Sequence, residues 1–210
     1  HCGLIKQIKP TKPDSVIVTV MMPAHNVQAW IGETIASVLA QTYCDFELII
    51  VDDASTDQTA HWIRQYASWY PQIRFFKNTY QLGIPKTRNR ILKKARGKYI
   101  AVCDADDLVR PSWLKRFVHV MESQPNVGWV YADRLDLNKK DQSVTLSPAL
   151  SMNGHREFEK NIMQHGGALI RKQLIMDVGG YDESFYGVED YDLAFKIAKR
   201  STLLALPGGI

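Results

Sequence analysis

Gly97-Lys98-Tyr99-Ile100-Ala101-Val102-Cys103-Asp104-Ala105-Asp106-Asp107 is the stretch on which the reading of the chain turns. After a glycine comes a short apolar run containing β-branched and aromatic residues, the pattern of a buried strand. It ends in three carboxylates within four residues. Aspartate suits strands poorly, so the strand stops there and delivers Asp104 and Asp106 to the edge of a sheet. Two carboxylates so placed repel unless a cation lies between them. A hard divalent ion, Mn²⁺ or Mg²⁺, is the natural partner, and Mg²⁺ commonly shares its shell with substrate phosphates. The competing reading is structural: the aspartates turn the chain and cap a helix that Pro111 starts.

Outward from this strand the chain alternates. Val16 to Met22 reads as a first strand stopped by Pro23, and Trp30 to Thr42 as an amphipathic helix. Phe46 to Val51 is a second strand, followed by a helix over Gln58 to Trp69 with Trp62, Ile63 and Tyr66 on one face. Ile73 to Lys77 is a third, followed by a loop with Gly83 and a basic helix from Pro85 to about Gly97. Ser112 to Glu122 is the helix after the fourth. Such alternation predicts an α/β fold with a largely parallel sheet, helices on both faces and ligands at the carboxyl ends of the strands. Beyond Pro125 the pattern changes. Gly128 to Leu137 reads as a strand, Asn138 to Glu159 as a polar loop, and Gly166 to Ile170 as a short apolar run. Gln173 to Val178 and Tyr191 to Arg200 read as helices. Residues 1–14 form a leader or linker. Residues 15–210 form one domain, with 15–124 its nucleotide-binding half and 125–210 its acceptor and catalytic half.

Composition narrows the class. The 210 residues are 45% hydrophobic and 23% charged, with a net charge of +4, as in an ordinary globular protein. Basic residues crowd Lys86 to Lys98, which suits an anionic ligand or a solvated helix face; no nucleic-acid motif accompanies them, so nucleic acid is not an expected partner. Cys2, Cys44 and Cys103 are odd in number and lack CxxC spacing, which argues against a disulfide framework and a zinc site. Apolar runs are of strand length, and no signal peptide is visible. A cytoplasmic location is the default, with peripheral association at the inner face of the membrane left open. The first residue is not Met, so the chain reads as an excised piece.

Polar groups close three of the four strands: Pro23-Ala24-His25-Asn26, then Asp52-Asp53, then Asp104-Ala105-Asp106. In a parallel sheet these ends share one rim, bordered by Gly83 and Arg88 after the third strand. Aspartates, an arginine and helix N-termini around one crevice suit a nucleoside diphosphate held through a metal. No GxxxxGK[ST], GxGxxG, HExxH or GxSxG occurs.

Together, VTVMMPAHN, FELIIVDDASTD, NTYQLGIPKTRNRIL, GKYIAVCDADD and GGYDESFYGVEDYDLAFKI resemble the successive landmarks of the family 2 glycosyltransferases, over about Ser15 to Arg200. The resemblance implies the GT-A fold and inverting transfer from a nucleotide sugar. It places Pro23 to Asn26 beside the base, with His25 where tyrosine is common. It gives Asp53 the uracil N3 proton, Arg88 a phosphate or base edge, Asp104 the ribose and Asp106 the metal. Asp190 of the Glu189-Asp190 pair becomes the general base, with Glu189 positioning the acceptor or bracing Asp190. The implied partners are a UDP-sugar and a glycan, lipid-linked or protein-linked acceptor; the sugar and the oligomeric state stay open. Family members continue beyond the helix that follows this pair, and nothing after Arg200 supplies another ligand, so the domain reads as truncated at its C-terminus. His155 and His165 read as loop or surface residues. Two rivals remain: a non-catalytic nucleotide-sugar-binding module and a nucleotidyltransferase.

Overall fold

The computed structural model describes residues 17–138, 141, 143–149 and 165–209. The leader, His155 and most of the polar loop therefore lie outside the described residues. The first half alternates as expected: β1 (Val18–Ala24), α1 (Ile31–Leu39), β2 (Phe46–Asp52), α2 (Thr59–Trp69), β3 (Ile73–Lys77), α3 (Ile84–Leu92), β4 (Tyr99–Val102) and α4 (Trp113–Ser123). The second half adds β5 (Val127–Ala132), β6 (Arg134–Leu137), β7 (Val144–Ser147), β8 (Leu169–Arg171), α5 (Lys172–Asp177), α6 (Glu189–Ala198) and β9 (Thr202–Leu206).

Seven strands form one sheet in the order β3-β2-β1-β4-β8-β5-β9, and β6 pairs with β7 alone. β1, β2, β3 and β4 are parallel to one another, while β8 runs antiparallel between β4 and β5. Continuous apolar runs occupy the middle because helices cover both faces. Residues of α1, α2 and α4 pack on one face through Ile35, Ile63 and Phe117. Those of α3, α5 and α6 pack on the other through Ile91, Ile175 and Leu193. The α/β class and the mainly parallel sheet are as anticipated.

Several boundaries differ, each for a physical reason. Pro23 does not stop β1, which continues through it to Ala24. The Met21 carbonyl accepts from Cys103 on the β4 side and the Ala24 carbonyl from Asp53 on the β2 side. Alternation therefore turns the nitrogen of Pro23 toward β4, beyond its last residue, where no ladder bond is lost. The expected strand over Gly128 to Leu137 breaks at Asp133, and its second part pairs with a strand inside the expected loop. β9 was not anticipated; it is an edge strand parallel to β5. Trp62 lies on the solvent side of α2, 42% exposed. Cys44 is disulfide-bonded, which the odd count and the spacing do not suggest, whereas Cys103 is free and buried. Among the described residues no helix is long and apolar enough to cross a membrane.

Gly97 shows how tightly β4 enters the sheet. A Cβ there would lie 2.4 Å from the Thr19 nitrogen and 2.7 Å from the Val18 carbonyl carbon, both backbone atoms that cannot step aside. Gly97→Ala is expected to cost about 1–3 kcal/mol through overpacking. For a domain of this size that lowers the thermal midpoint by several degrees, at roughly 2–4 °C per kcal/mol.

Candidate active site

Parallel strands place their carboxyl ends on one rim, and the polar residues beyond them are tied to one another. The ring of His25 has Nδ1 2.8 Å from the Asp53 carbonyl oxygen. A carbonyl only accepts, so Nδ1 carries the proton and Nε2 accepts from the Asn26 side-chain amide. Asn26 and Ala54 both have left-handed backbones, at φ 51° and 58°. Asn26 tolerates this better than Ala54, and strain of that kind persists where surrounding structure holds it. Here the hold is mutual: the Asn26 amide donates to Ser55 Oγ, and the Thr56 amide donates to Asn26 Oδ1.

Asp53 is 4% exposed and anchors the loop before α3. Its Oδ1 accepts from Asn78 Nδ2 at 2.6 Å and from the Leu82 amide at 2.8 Å, and its Oδ2 accepts from the Gly83 amide at 2.8 Å. Gly83 adopts φ 87°, a conformation in which a side chain would be strained. Asp52 is fully buried and accepts from the Ser55 amide, a structural role. From Asn78 the network passes to Thr87 Oγ1 and so to the helix that carries Arg88.

Arg88 joins the two halves of the molecule. It is buried, with Nη1 donating to Glu189 Oε1 at 2.9 Å and Nη2 to Asp104 Oδ1 at 3.0 Å. Its guanidinium also lies 5.5 Å from the Tyr181 ring centroid. Burial opposes its charge, but Asp104, Tyr181 and Glu189 outweigh that and raise its pKa. Expected at a phosphate or base edge, Arg88 instead holds the end of β4 against the start of α6. Glu189 correspondingly braces Arg88, and its Oε2 is buried with no hydrogen-bond partner.

The turn after β4 exposes Asp106 and leaves Asp104 and Asp107 half-buried. Burial, with Asp104 and Asp106 close by, pushes the Asp107 carboxyl up to about 6. Ala105 is buried and its carbonyl accepts from Thr34 Oγ1, so it shapes the turn and leaves ligand contact to its neighbours. Among the described residues no group of three or more His, Cys, Asp or Glu side chains forms a complete metal site. Two hard carboxylates crowded by a third fit a divalent ion that keeps water and phosphate in its shell. Asp106 and Asp104 are the residues placed to hold one.

Asp190 lies in the first turn of α6 and does not cap it; Val188 is the N-cap residue. Its Oδ1 accepts from the Tyr191 amide at 2.7 Å, and its side chain stays half-exposed. Beneath it Tyr181 is buried, with its hydroxyl 2.8 Å from His165 Nε2. His165 is 5% exposed, not the surface residue its sequence context suggests. Burial, with Arg88 nearby, holds its pKa well below the usual histidine value.

That shift has a consequence for stability. Below about pH 6.5 the unfolded chain protonates this histidine while the folded one refuses the proton. Stability therefore falls as pH drops from about 6.5 toward the depressed folded value, and His165 adds no slope above that window. His165→Gln is expected to give a shallower acid limb in urea denaturation between about pH 6.5 and 5. An unchanged slope would show that His165 titrates alike in both states.

Of the residues singled out in the sequence, His25, Asn26, Asp53, Gly83, Arg88, Asp104 and Glu189 fall within the linked bonds described above, with Asp106 and Asp190 adjacent to them. Tyr181, His165 and Asn78 were missed as members. The available signal was their place next to the landmarks: Asn78 ends β3, and Tyr181 follows the paired glycines.

Comparison with known proteins places this arrangement. The model of glycosyl transferase family 2 matches residues 19–179. WfgD of Escherichia coli, a UDP-Glc:alpha-D-GlcNAc-diphosphoundecaprenol beta-1,3-glucosyltransferase, is 32% identical over 120 residues, 57% of this chain and 46% of its own length. Two solved structures share the fold. S. aureus TarS 1-349 in complex with UDP has a TM-score of 0.75 at 20% identity, over 92% of this chain and 60% of its own. The mannosyltransferase PcManGT from Pyrobaculum calidifontis, in complex with GDP-Man and Mn²⁺, has a TM-score of 0.72 at 24% identity, over 90% of this chain and 54% of its own. The chain spans only 22% and 34% of the length of two other curated relatives it matches. The family match covers well over half of the chain and contains the strand ends, the loop before α3 and the aspartate turn, so the chain belongs to glycosyl transferase family 2.

Proposed function

We propose that this domain is an inverting, metal-dependent glycosyltransferase moving a sugar from a UDP-sugar to an acceptor hydroxyl in glycan assembly. The observation that carries the reading is the bridge from Arg88 to Asp104 and Glu189, residues 16 and 101 positions away. It joins the carboxylate turn suited to a cation to the helix bearing Asp190. The UDP bound to TarS, the UDP-Glc in the name of WfgD and the Mn²⁺ bound to PcManGT support the donor and metal classes.

Each residue has a role in this reading. Asp53 has four acceptor positions and uses three, which leaves one on Oδ2 for an N–H. Uracil N3–H fits that position, whereas cytosine has no such proton. His25, held neutral and oriented, stacks on the base between Pro23, Ala24 and Asn26. Asp106 and Asp104 would hold Mn²⁺ or Mg²⁺, which when bound neutralises charge on the departing diphosphate. Asp190 takes the acceptor proton on Oδ2, the oxygen not bonded to the Tyr191 amide. Carboxylates are weak bases toward alcohols, so that proton moves late, as the hydroxyl attacks the anomeric carbon. Attack opposite the leaving group inverts the centre, giving a β-linked product from an α-linked donor. Glu189 and Arg88 keep the first turn of α6 at the rim while this occurs.

The test combines binding with turnover. UDP and Mn²⁺ together should raise the melting temperature, since a ligand at 100 times its Kd adds about 2.7 kcal/mol. A panel of UDP-sugars should then release UDP with Mn²⁺ and not with EDTA. Binding without release from any donor and acceptor pair would indicate the non-catalytic module, and release of pyrophosphate a nucleotidyltransferase.

A further inference from the structure

The hairpin β6–β7 stands apart from the main sheet and pairs Leu135 with Leu146 and Leu137 with Val144. These four are 48%, 56%, 56% and 60% exposed, and alternation puts them on one face. The other face is satisfied by itself: Arg134 Nε lies 2.7 Å from Asp136 Oδ1, and Ser147 Oγ donates to Asp136 Oδ2 at 2.5 Å. A two-stranded hairpin is marginal alone in water, and an exposed aliphatic face of this extent marks a contact surface.

Its position says what it contacts. Both β4 and β5 run antiparallel to β8, so they are parallel to each other and end at the same rim. The hairpin therefore rises from that rim beside Asp104 to Asp107. Between it and the acidic turn lies a cavity of about 810 Å³, lined by Asp106, Glu33, Leu108, Arg110, Leu135 and Leu137 among others. That volume lies within the usual range for small-molecule sites. Carboxylates at the floor suit sugar hydroxyls. Arg110 is exposed at the cavity and forms no ion pair among the described residues, so it is free to meet an anion. Beyond it the strip is branched aliphatic with no aromatic ring, which suits hydrocarbon better than a glycan chain. A second copy of the chain docked on the strip would close the cavity an acceptor has to enter.

We propose that the acceptor is a polyprenyl-diphosphate-linked sugar. Its sugar enters the cavity beside Asp106, its phosphates meet Arg110 and its hydrocarbon lies along Leu135, Leu137, Val144 and Leu146. This rests on the transferase reading above and names its acceptor class.

Flotation with phosphatidylcholine vesicles, with or without undecaprenyl diphosphate, tests it, alongside the melting shift given by UDP and Mn²⁺. Undecaprenyl diphosphate should raise the bound fraction several-fold. Leu135→Ser, Leu137→Ser, Val144→Ser and Leu146→Ser combined should abolish the rise, and Arg110→Gln should remove most of it. Both variants should keep the nucleotide-induced melting shift, which shows that they fold. Equal binding to the two vesicle types, or full binding by the serine variant, overturns the proposal. So does a parent dimer that the serine changes dissociate in sedimentation, since the strip would then belong to a second copy. Loss of the nucleotide shift in the parent itself, with lipid binding intact, overturns the transferase reading and the acceptor role with it.

Discussion

Asp190→Asn should lower turnover by about 10²- to 10⁴-fold, the usual contribution of a positioned general base. The substitution keeps size and shape, and the oxygen that accepts from the Tyr191 amide can be retained. What disappears is the ability to take a proton on the other atom. Because Asp190 is half-exposed and outside the Arg88 bridge, folding and the melting shift given by UDP and Mn²⁺ should be unchanged. UDP release per unit enzyme, measured with a donor and acceptor that the parent turns over, checks the prediction. A variant as active as the parent would remove Asp190 from the base role and leave donor binding standing.

Arg88→Met should act on stability as well as turnover. Arg88 and Glu189 have side chains only 5% exposed, so removing the cation leaves a buried carboxylate without its counter-charge. Breaking such a pair costs about 3–5 kcal/mol, a midpoint lowered by on the order of 10 °C in a domain this size. Asp104 is 37% exposed and can be resolvated, so little of that loss should come from it. Adding Glu189→Gln removes the stranded charge and should recover much of the stability. Activity should stay low in both variants, because Asp104 and the first turn of α6 no longer share a brace. Thermal melts of the two variants beside UDP release separate the effects. If the single variant melted with the parent, the buried bridge would not be a stabilising feature.

The parts of the fold legible in the sequence were those governed by local pattern. The unbroken apolar runs of β2 and β4, each closed by aspartate, announced central strands and a polar rim. The spacing of Ile31, Ile35 and Val38, and of Leu114, Phe117 and Met121, announced which helix faces are buried. Illegible parts depended on neighbours. Whether Pro23 ends β1 depends on the length of the strand beside it. Whether residues 134–137 continue β5 depends on Val144 to Ser147 offering them a partner. β9 is short and half-exposed at an edge, so its composition carries little signal.

The sequence by itself determined an α/β sheet with acidic groups at the ends of its parallel strands, because strand burial and chain reversal leave periodic and compositional marks within a few residues. Only the tertiary structure decided which groups meet. It turned Arg88 toward Asp104 and Glu189, drew the loop before α3 onto Asp53, buried His165 and raised a bare aliphatic hairpin over the acidic turn. Such pairings join residues up to 101 positions apart. They depend on side-chain directions set by the packed sheet and helices, which no local pattern records.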